Sequence, residues 1–160
     1  MGVCTVGVTE HDTLTAHGHI TLFVYDAASG ELVEVIHADN LVTMTGKNLL
    51  LHYLANDGTM TAGAQYLAIG TGVGTPALGD TALFTEVLRT PIIQTPIVSG
   101  TVTLTGFIPT TQGNVSWTEL GIYGNGATAT PGSGFLLTHA LLAYTKTSSY
   151  NTVIAYMVSV

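Results

Sequence analysis

Histidine is the residue type in this sequence whose number and spacing point first to chemistry. Six histidines outnumber the three lysines and arginines combined, and His17 and His19 would share one face of a β-strand. A His-x-His pair can supply two imidazole ligands to a metal ion, and three copies meeting on a symmetry axis could complete the shell. The alternative is a polar edge strand with two exposed histidines. Although His11 and Asp12 lie upstream, no third ligand follows at metal-ligand spacing, so we assign no metal-binding residues.

The other residues capable of catalysis form no recognisable constellation. His37, His52 and His139 have no carboxylate or nucleophile beside them in a known pattern, so we expect them at the surface of sheets or of the helix. The segment Pro131-Gly132-Ser133-Gly134 does not match G-x-S-x-G, and Cys4 lies near a chain end, where a nucleophile is hard to hold rigidly. A glycosidase needs two carboxylates, but the acidic residues are scattered singly. We predict that the protein is not an enzyme and assign no catalytic residues.

A glycine-rich segment, Gly70-Thr71-Gly72-Val73-Gly74-Thr75-Pro76, resembles a phosphate-binding loop at first sight. We expect it to follow a strand at residues 65–69 and to precede a short helical turn that Asp80 and Thr81 cap and that runs through Val87. A dinucleotide-binding fingerprint needs different glycine spacing and a helix directly after its third glycine, and the lysine of a P-loop is missing. The segment is therefore predicted to be a structural turn, and we assign no cofactor.

Composition excludes several classes of protein. With 3 basic and 10 acidic residues and a net charge of -7, the chain has no basic patch for nucleic acid or for an anionic membrane surface. Its hydrophobic residues are spread out and form no run of about 20, the length of a membrane-spanning helix. The first residues match neither a signal peptide nor a myristoylation pattern, and a single cysteine forms no internal disulfide.

The elements that must position these residues are mostly strands. Residues 18–25 and 31–38 read as an antiparallel hairpin around an Asp-Ala-Ala-Ser-Gly turn, and further strands are expected at residues 101–105, 114–123, 135–143 and 152–160. In residues 101–105, three threonines alternate with Val102 and Leu104, which predicts one polar and one buried face. Trp117 and the tyrosines could form a sugar-binding platform, but packing in a β core is the favoured interpretation.

One helix interrupts the strands. Thr45 is its predicted N-cap, Leu49, Leu50, Tyr53 and Leu54 form one apolar stripe, and Gly58 is predicted to close it. With 160 residues, the chain is predicted to be a single mainly β domain: an antiparallel β-sandwich, jelly-roll-like, with one principal inserted α-helix. Residues 18–160 form this domain, and residues 1–17 form an N-terminal arm.

The scarcity of charge points to assembly. Charged residues make up 8% of the chain, against about 25% in an average soluble domain. Obligate oligomer interfaces are depleted in charge, so we predict a closed homo-oligomer.

Several segments together resemble a known group of proteins. They are Asn40-Leu41-Val42-Thr43-Met44-Thr45-Gly46-Lys47-Asn48-Leu49-Leu50, Leu67-Ala68-Ile69-Gly70-Thr71-Gly72, Pro76, Asp80-Thr81-Ala82-Leu83, Glu86-Val87, Arg89, Glu119-Leu120-Gly121-Ile122-Tyr123 and Leu136-Leu137. This pattern resembles that of small structural proteins of tailed bacteriophages, which include tail-fibre-like and capsid-decoration proteins. The resemblance covers residues 18–160 and implies a β-rich virion component, a homotrimer, with no catalytic residues to transfer.

Within that resemblance, a compact module without a collagen-like, coiled-coil or needle-repeat extension suits a capsid decoration (cement) protein. Such a protein binds the outer head and bridges major capsid protein subunits, so the expected location is the virion, at the capsid surface or the tail. The alternative is a tail-fibre or baseplate adaptor module that binds glycans or a receptor. We expect the arm at residues 1–17 to order on a partner by strand addition.

Overall fold

Segments rich in β-branched and apolar residues form nine strands in the described part of the chain, and one helix lies against the sheet. The computed structural model describes residues 17–60 and 62–159. Within those ranges the elements are β1 (His17–Asp26), β2 (Leu32–Val42), α1 (Met44–Ala55), β3 (Ala64–Gly70), β4 (Glu86–Pro91), β5 (Ile93–Gln94), β6 (Thr101–Ile108), β7 (Ser116–Gly124), β8 (Phe135–Thr145) and β9 (Tyr150–Ser159). The predicted strand at residues 3–9 and most of the predicted arm lie outside the described residues. His17, the last residue of that arm, is the first residue of β1.

All strand pairs are antiparallel, and the strand order is β4-β3-β7-β8-β2-β1-β9-β6-β5. The long strand β2 joins two layers, because residues 32–39 pair with β1 while residues 40–42 pair with β8. Only residue 92 separates β4 from β5, at the two ends of this order, so the sheet nearly closes on itself. The predicted mainly β, sandwich-like single domain with one helix is confirmed.

The core lies between the inner faces of the two layers. Trp117 is fully buried, packs edge-on against Tyr144 with ring centroids 5.0 Å apart, and donates its indole N–H to the Gly113 carbonyl at 2.7 Å. In β6, Leu104 is buried and Val102 packs against the core, as predicted, but the three threonines are partly buried as well. The three threonines of β6 pair in register with residues of β9 that alternate with its buried positions. The pairs are Thr101–Ser159, Thr103–Met157 and Thr105–Ala155.

Helix α1 ends where predicted, but its N-cap lies two residues before Thr45 and its left-handed closing residue lies two residues before Gly58. Thr43 is the N-cap: its hydroxyl accepts a hydrogen bond from the Gly46 amide at 3.1 Å and donates to the Leu136 carbonyl at 2.7 Å. The predicted cap Thr45 is wrong because the buried hydroxyl of Thr43, held against β8, is the one aimed at the first turn. Asn56 adopts the left-handed conformation (φ 47°) and closes the helix before Gly58.

The predicted helical turn through Val87 is absent. Residues 71–85 form bends and turns, and the chain then enters β4 at Glu86. Within the described part of the chain, no helix has the length and apolar character needed to cross a membrane.

Candidate functional site

Glu119 is a carboxylate in the middle of a core strand. It lies between Thr118 and Leu120 on β7, and its side chain is fully buried. Four groups donate to it: the Gly72 amide (2.9 Å) and Thr85 amide (2.7 Å) to Oε1, and the Phe84 amide (2.9 Å) and His139 Nε2 (3.0 Å) to Oε2. These contacts offset the cost of burying a charge and attach the 71–85 loop to the sheet.

His139 of β8 lies between two carboxylates. Its Nδ1 is 2.7 Å from Asp80 Oδ2 and its Nε2 is 3.0 Å from Glu119 Oε2, while the Phe84 ring packs on it with centroids 4.8 Å apart. Both ring nitrogens are therefore within hydrogen-bond distance of a carboxyl group, and the ring joins Asp80 of the loop to Glu119 of the sheet. We call Asp80, His139 and Glu119 the loop latch. The prediction of His139 at the surface is wrong, because the side chain is fully buried.

The glycine-rich segment serves this latch. A bound phosphate would need free backbone amides as donors, but the Gly72 amide already donates to the Glu119 carboxylate. A Cβ at Gly70 or Gly72 would collide with Glu119 and with the backbone of Thr85, so glycine is needed for close approach to the carboxylate. This geometry fits the predicted structural turn. It also explains why no helix forms after Asp80: the amides of Phe84 and Thr85 donate to Glu119.

A second buried ion pair lies on the same layer of the sheet. Arg89 of β4 contacts Glu86 through two hydrogen bonds and lies 3.8 Å above the centre of the Tyr123 ring. Its guanidinium also donates to the Ser133 carbonyl at 2.7 Å, which holds the 125–134 loop in place. The Tyr123 hydroxyl accepts from the Leu83 amide at 2.9 Å, and burial raises the pKa of Tyr123 to about 12. Tyr123 therefore stays a neutral phenol at physiological pH.

This arrangement is suited to holding loops. Both oxygens of Glu119 and both nitrogens of His139 are engaged within the protein. A shallow groove of about 430 Å³ reaches His139, but neither ring nitrogen is left to act on a molecule bound there. Ser133 Oγ donates to the Thr130 carbonyl at 2.7 Å and accepts from the Thr128 amide, so it is part of a turn.

The sequence predicts Asp80 as a helix cap, places Glu119 in the strand at residues 114–123 and predicts His139 at the surface. The structure brings the three together. A usable signal was present, since one carboxylate within an apolar core strand must have a buried partner. The same holds for His139, which lies between Leu137 and Leu141 in an apolar strand.

The predicted histidine pair shares one strand face as expected, but its contacts differ from those of a His-x-His metal site. His17 and His19 lie on the outer face of β1, but the residue that His19 contacts is His37 of β2, with His19 Nε2 and His37 Nδ1 3.3 Å apart. His52 lies near the end of α1 and pairs with Asp57 at 2.7 Å. Among residues 17–60 and 62–159, no group of three or more His, Cys, Asp or Glu residues is placed to hold a metal ion.

Helix α1 exposes several large apolar side chains at the surface. Helix α1 has no buried residue, and only Leu49 packs against the core. Leu51 is 61% exposed and Leu54 is 75% exposed. A groove of about 410 Å³ lies between α1 and strands of the core, is lined almost entirely by apolar side chains and includes Ile97. We call the exposed apolar side chains of α1, together with Ile97, the α1 surface: Leu50, Leu51, Tyr53, Leu54 and Ile97. Of these, Leu50, Tyr53 and Ile97 also line the groove.

Comparison with known proteins identifies no relative: no protein-family model, no curated protein and no solved structure matches the chain.

Proposed function

We propose that the protein is a non-enzymatic structural component of a tailed-phage virion, which assembles with further copies of itself through the α1 surface. The observation that carries this proposal is a helix on which three leucines and a tyrosine face solvent, beside an exposed Ile97. Contiguous exposed apolar patches of this kind mark interaction sites in soluble proteins.

The occupant of the α1 surface that best fits the charges is a second copy of the chain. Each copy carries a net charge of -7, so copies repel one another wherever acidic residues would meet. Helix α1 contains no acidic residue and one lysine, Lys47. Copies can therefore meet at this surface while burying apolar side chains and bringing few like charges together.

The loop latch supports the phage assignment. Residues from separate parts of the pattern that resembles small phage structural proteins, Gly70, Gly72, Asp80 and Glu119, lie within or against this one cluster. Glu86, Arg89 and Tyr123 form the neighbouring ion pair and ring contact. In this chain, the residues that carry the resemblance therefore fix loops to a β-sheet, as expected for a module that presents a rigid surface.

The specific role that we propose is capsid decoration. A homotrimer would bind the outer head and bridge neighbouring major capsid protein subunits. Because it would bury surface on the assembled shell and not on free subunits, binding would shift the equilibrium towards the closed shell. This role needs a rigid fold and an interaction surface, and it involves no catalytic step.

Fractionation of purified virions tests this proposal. Heads and tails are separated, and the amount of the protein relative to the major capsid protein is measured by quantitative mass spectrometry. We expect it in the head fraction, at a copy number that scales with the major capsid protein. A protein found only with tails, at the copy number of one tail ring, would overturn the decoration role and favour an adaptor. Absence from both fractions would overturn the virion role.

A further inference from the structure

The β1–β2 hairpin places two imidazoles and a carboxylate together on the outer face of the sheet. His19 pairs in register with Asp39, and Thr21 pairs with His37, so His19 and His37 are diagonal neighbours on the same face. Their rings are stacked with centroids 5.3 Å apart and an angle of 28° between planes. His37 is exposed, and the His19 side chain is 42% exposed, so a solute can reach both.

The separation of the two nitrogens matches the geometry of a metal site. His19 Nε2 and His37 Nδ1 are 3.3 Å apart. Two imidazole nitrogens bound to one tetrahedral zinc at about 2.0–2.1 Å are separated by about 3.3–3.4 Å. The two nitrogens are therefore separated by the distance that two imidazole ligands of one tetrahedral zinc require.

Two polar groups neighbour the histidine pair. Asp39 Oδ1 lies 3.7 Å from His19 Nδ1, which is within ion-pair distance but longer than a hydrogen bond. A carboxylate on the second nitrogen of a ligating histidine fixes the tautomer and makes the ligand more basic. The Thr21 hydroxyl lies 3.1 Å from the same His37 Nδ1, so it must turn away from this nitrogen when a cation binds there.

We propose that His19 and His37 bind one transition-metal cation that prefers imidazole, of the Zn²⁺, Ni²⁺ or Cu²⁺ class, and that Asp39 is a positioning residue. With two protein ligands, water fills the remaining coordination positions, so the site is exchangeable. The cation joins β1 to β2, and its binding stabilises the hairpin by mass action. This inference does not depend on the virion role.

Calorimetric titration of the full chain with ZnCl₂ and with CuCl₂ tests the site. We expect one saturable site per chain, with affinity at least about tenfold lower in His19→Ala and in His37→Ala, and with tighter binding of Cu²⁺ than of Zn²⁺. The matched control is His52→Ala, because His52 and Asp57 form the other exposed His–Asp pair at 2.7 Å. Its affinity should equal that of the wild type. Asp39→Asn should weaken binding several-fold without changing the stoichiometry.

Three results would overturn the proposal. They are the absence of saturable binding, binding that both His19→Ala and His37→Ala leave unchanged, and binding lost in His17→Ala but kept in His37→Ala, which would place the metal on the His-x-His pair. Circular dichroism of each variant establishes that it is folded. X-ray absorption of the copper complex gives a second readout, with two imidazoles per metal expected.

Discussion

At the scale of single residues, the loop latch contains a buried carboxylate, Glu119. Its hydrogen-bond partners offset the free-energy cost of removing it from water. Glu119 accepts from three backbone amides and one imidazole, and His139 is held in turn by Asp80. Removing one partner from such a network leaves an unpaired buried group, which costs far more than the net contribution of an ordinary hydrogen bond. Replacing a single donor or acceptor atom of the latch is therefore expected to loosen the attachment of the 71–85 loop to the sheet.

Glu119→Gln tests this sensitivity with almost no change in volume. The new NH₂ group must face an amide that now donates to the carboxylate, so at least one donor loses its acceptor. We expect the free energy of unfolding to fall by about 3 kcal/mol, measured by denaturant titration. Glu31→Gln, at an exposed position after the β1–β2 turn, is the control and should change it by less than about 0.5 kcal/mol. Equal losses in the two variants would contradict the latch.

Gly72→Ala tests the close approach of the loop to the sheet. A Cβ there would meet Phe84 and the Glu119 carboxylate, so we expect a loss of about 2 kcal/mol in the free energy of unfolding. Gly79→Ala is the matched control, because a Cβ at Gly79 has nothing within 4 Å and the residue has no positive φ. That variant should be neutral or slightly stabilising. Destabilisation of both variants to the same extent would mean that the loop tolerates no alanine for reasons unrelated to the latch.

The latch was only partly visible in the sequence. Its residues were each noticed, but Phe84 and Glu119 are 35 positions apart, and nothing local reveals that the amide of one donates to the carboxylate of the other. The contact between His19 and His37 was missed for a related reason. It depends on the register of the hairpin, which composition does not fix.

At the scale of elements, most strands were predictable, whereas β4, β5 and the capping residues of α1 were not. The strands predicted at residues 18–25, 31–38, 101–105, 114–123, 135–143 and 152–160 all correspond to strands of the structure, because period-two apolar patterns and glycine or asparagine turns are local signals. The start of α1 and the turns at residues 80–85 depend on tertiary contacts, with Leu136 and with Glu119 respectively. Local capping rules therefore selected the wrong threonine and a helical turn that does not form.

A pair of threonine variants separates the two N-cap assignments. Thr43→Ala removes the acceptor for the Gly46 amide and leaves the Leu136 carbonyl without its donor, so we expect a loss of about 1–2 kcal/mol in the free energy of unfolding. Thr45→Ala changes the neighbouring threonine inside α1 and should lie within about 0.5 kcal/mol of the wild type. Thermal unfolding followed by circular dichroism measures both. A larger loss for Thr45→Ala would contradict the observed cap.

At the scale of the whole molecule, the scarcity of charged residues and the exposed apolar side chains of α1 both favour assembly. A chain with 3 basic and 10 acidic residues has little charge to place over α1, and the leucines of that helix face solvent. Burying such side chains between copies contributes roughly 25 cal/mol for each Å² of apolar surface removed from water. We therefore expect variants of the α1 surface to change assembly while leaving the fold of each copy intact.

The solution mass tests the proposed assembly most directly. Light scattering coupled to size exclusion should give the wild type a mass of three times 16.6 kDa, that of a homotrimer. The double variant Leu51→Ser/Leu54→Ser should elute as a folded monomer of about 16.6 kDa, because both leucines are exposed and contribute to the α1 surface. A wild type that is monomeric at every concentration, or a double variant of unchanged oligomeric mass, would contradict assembly through α1.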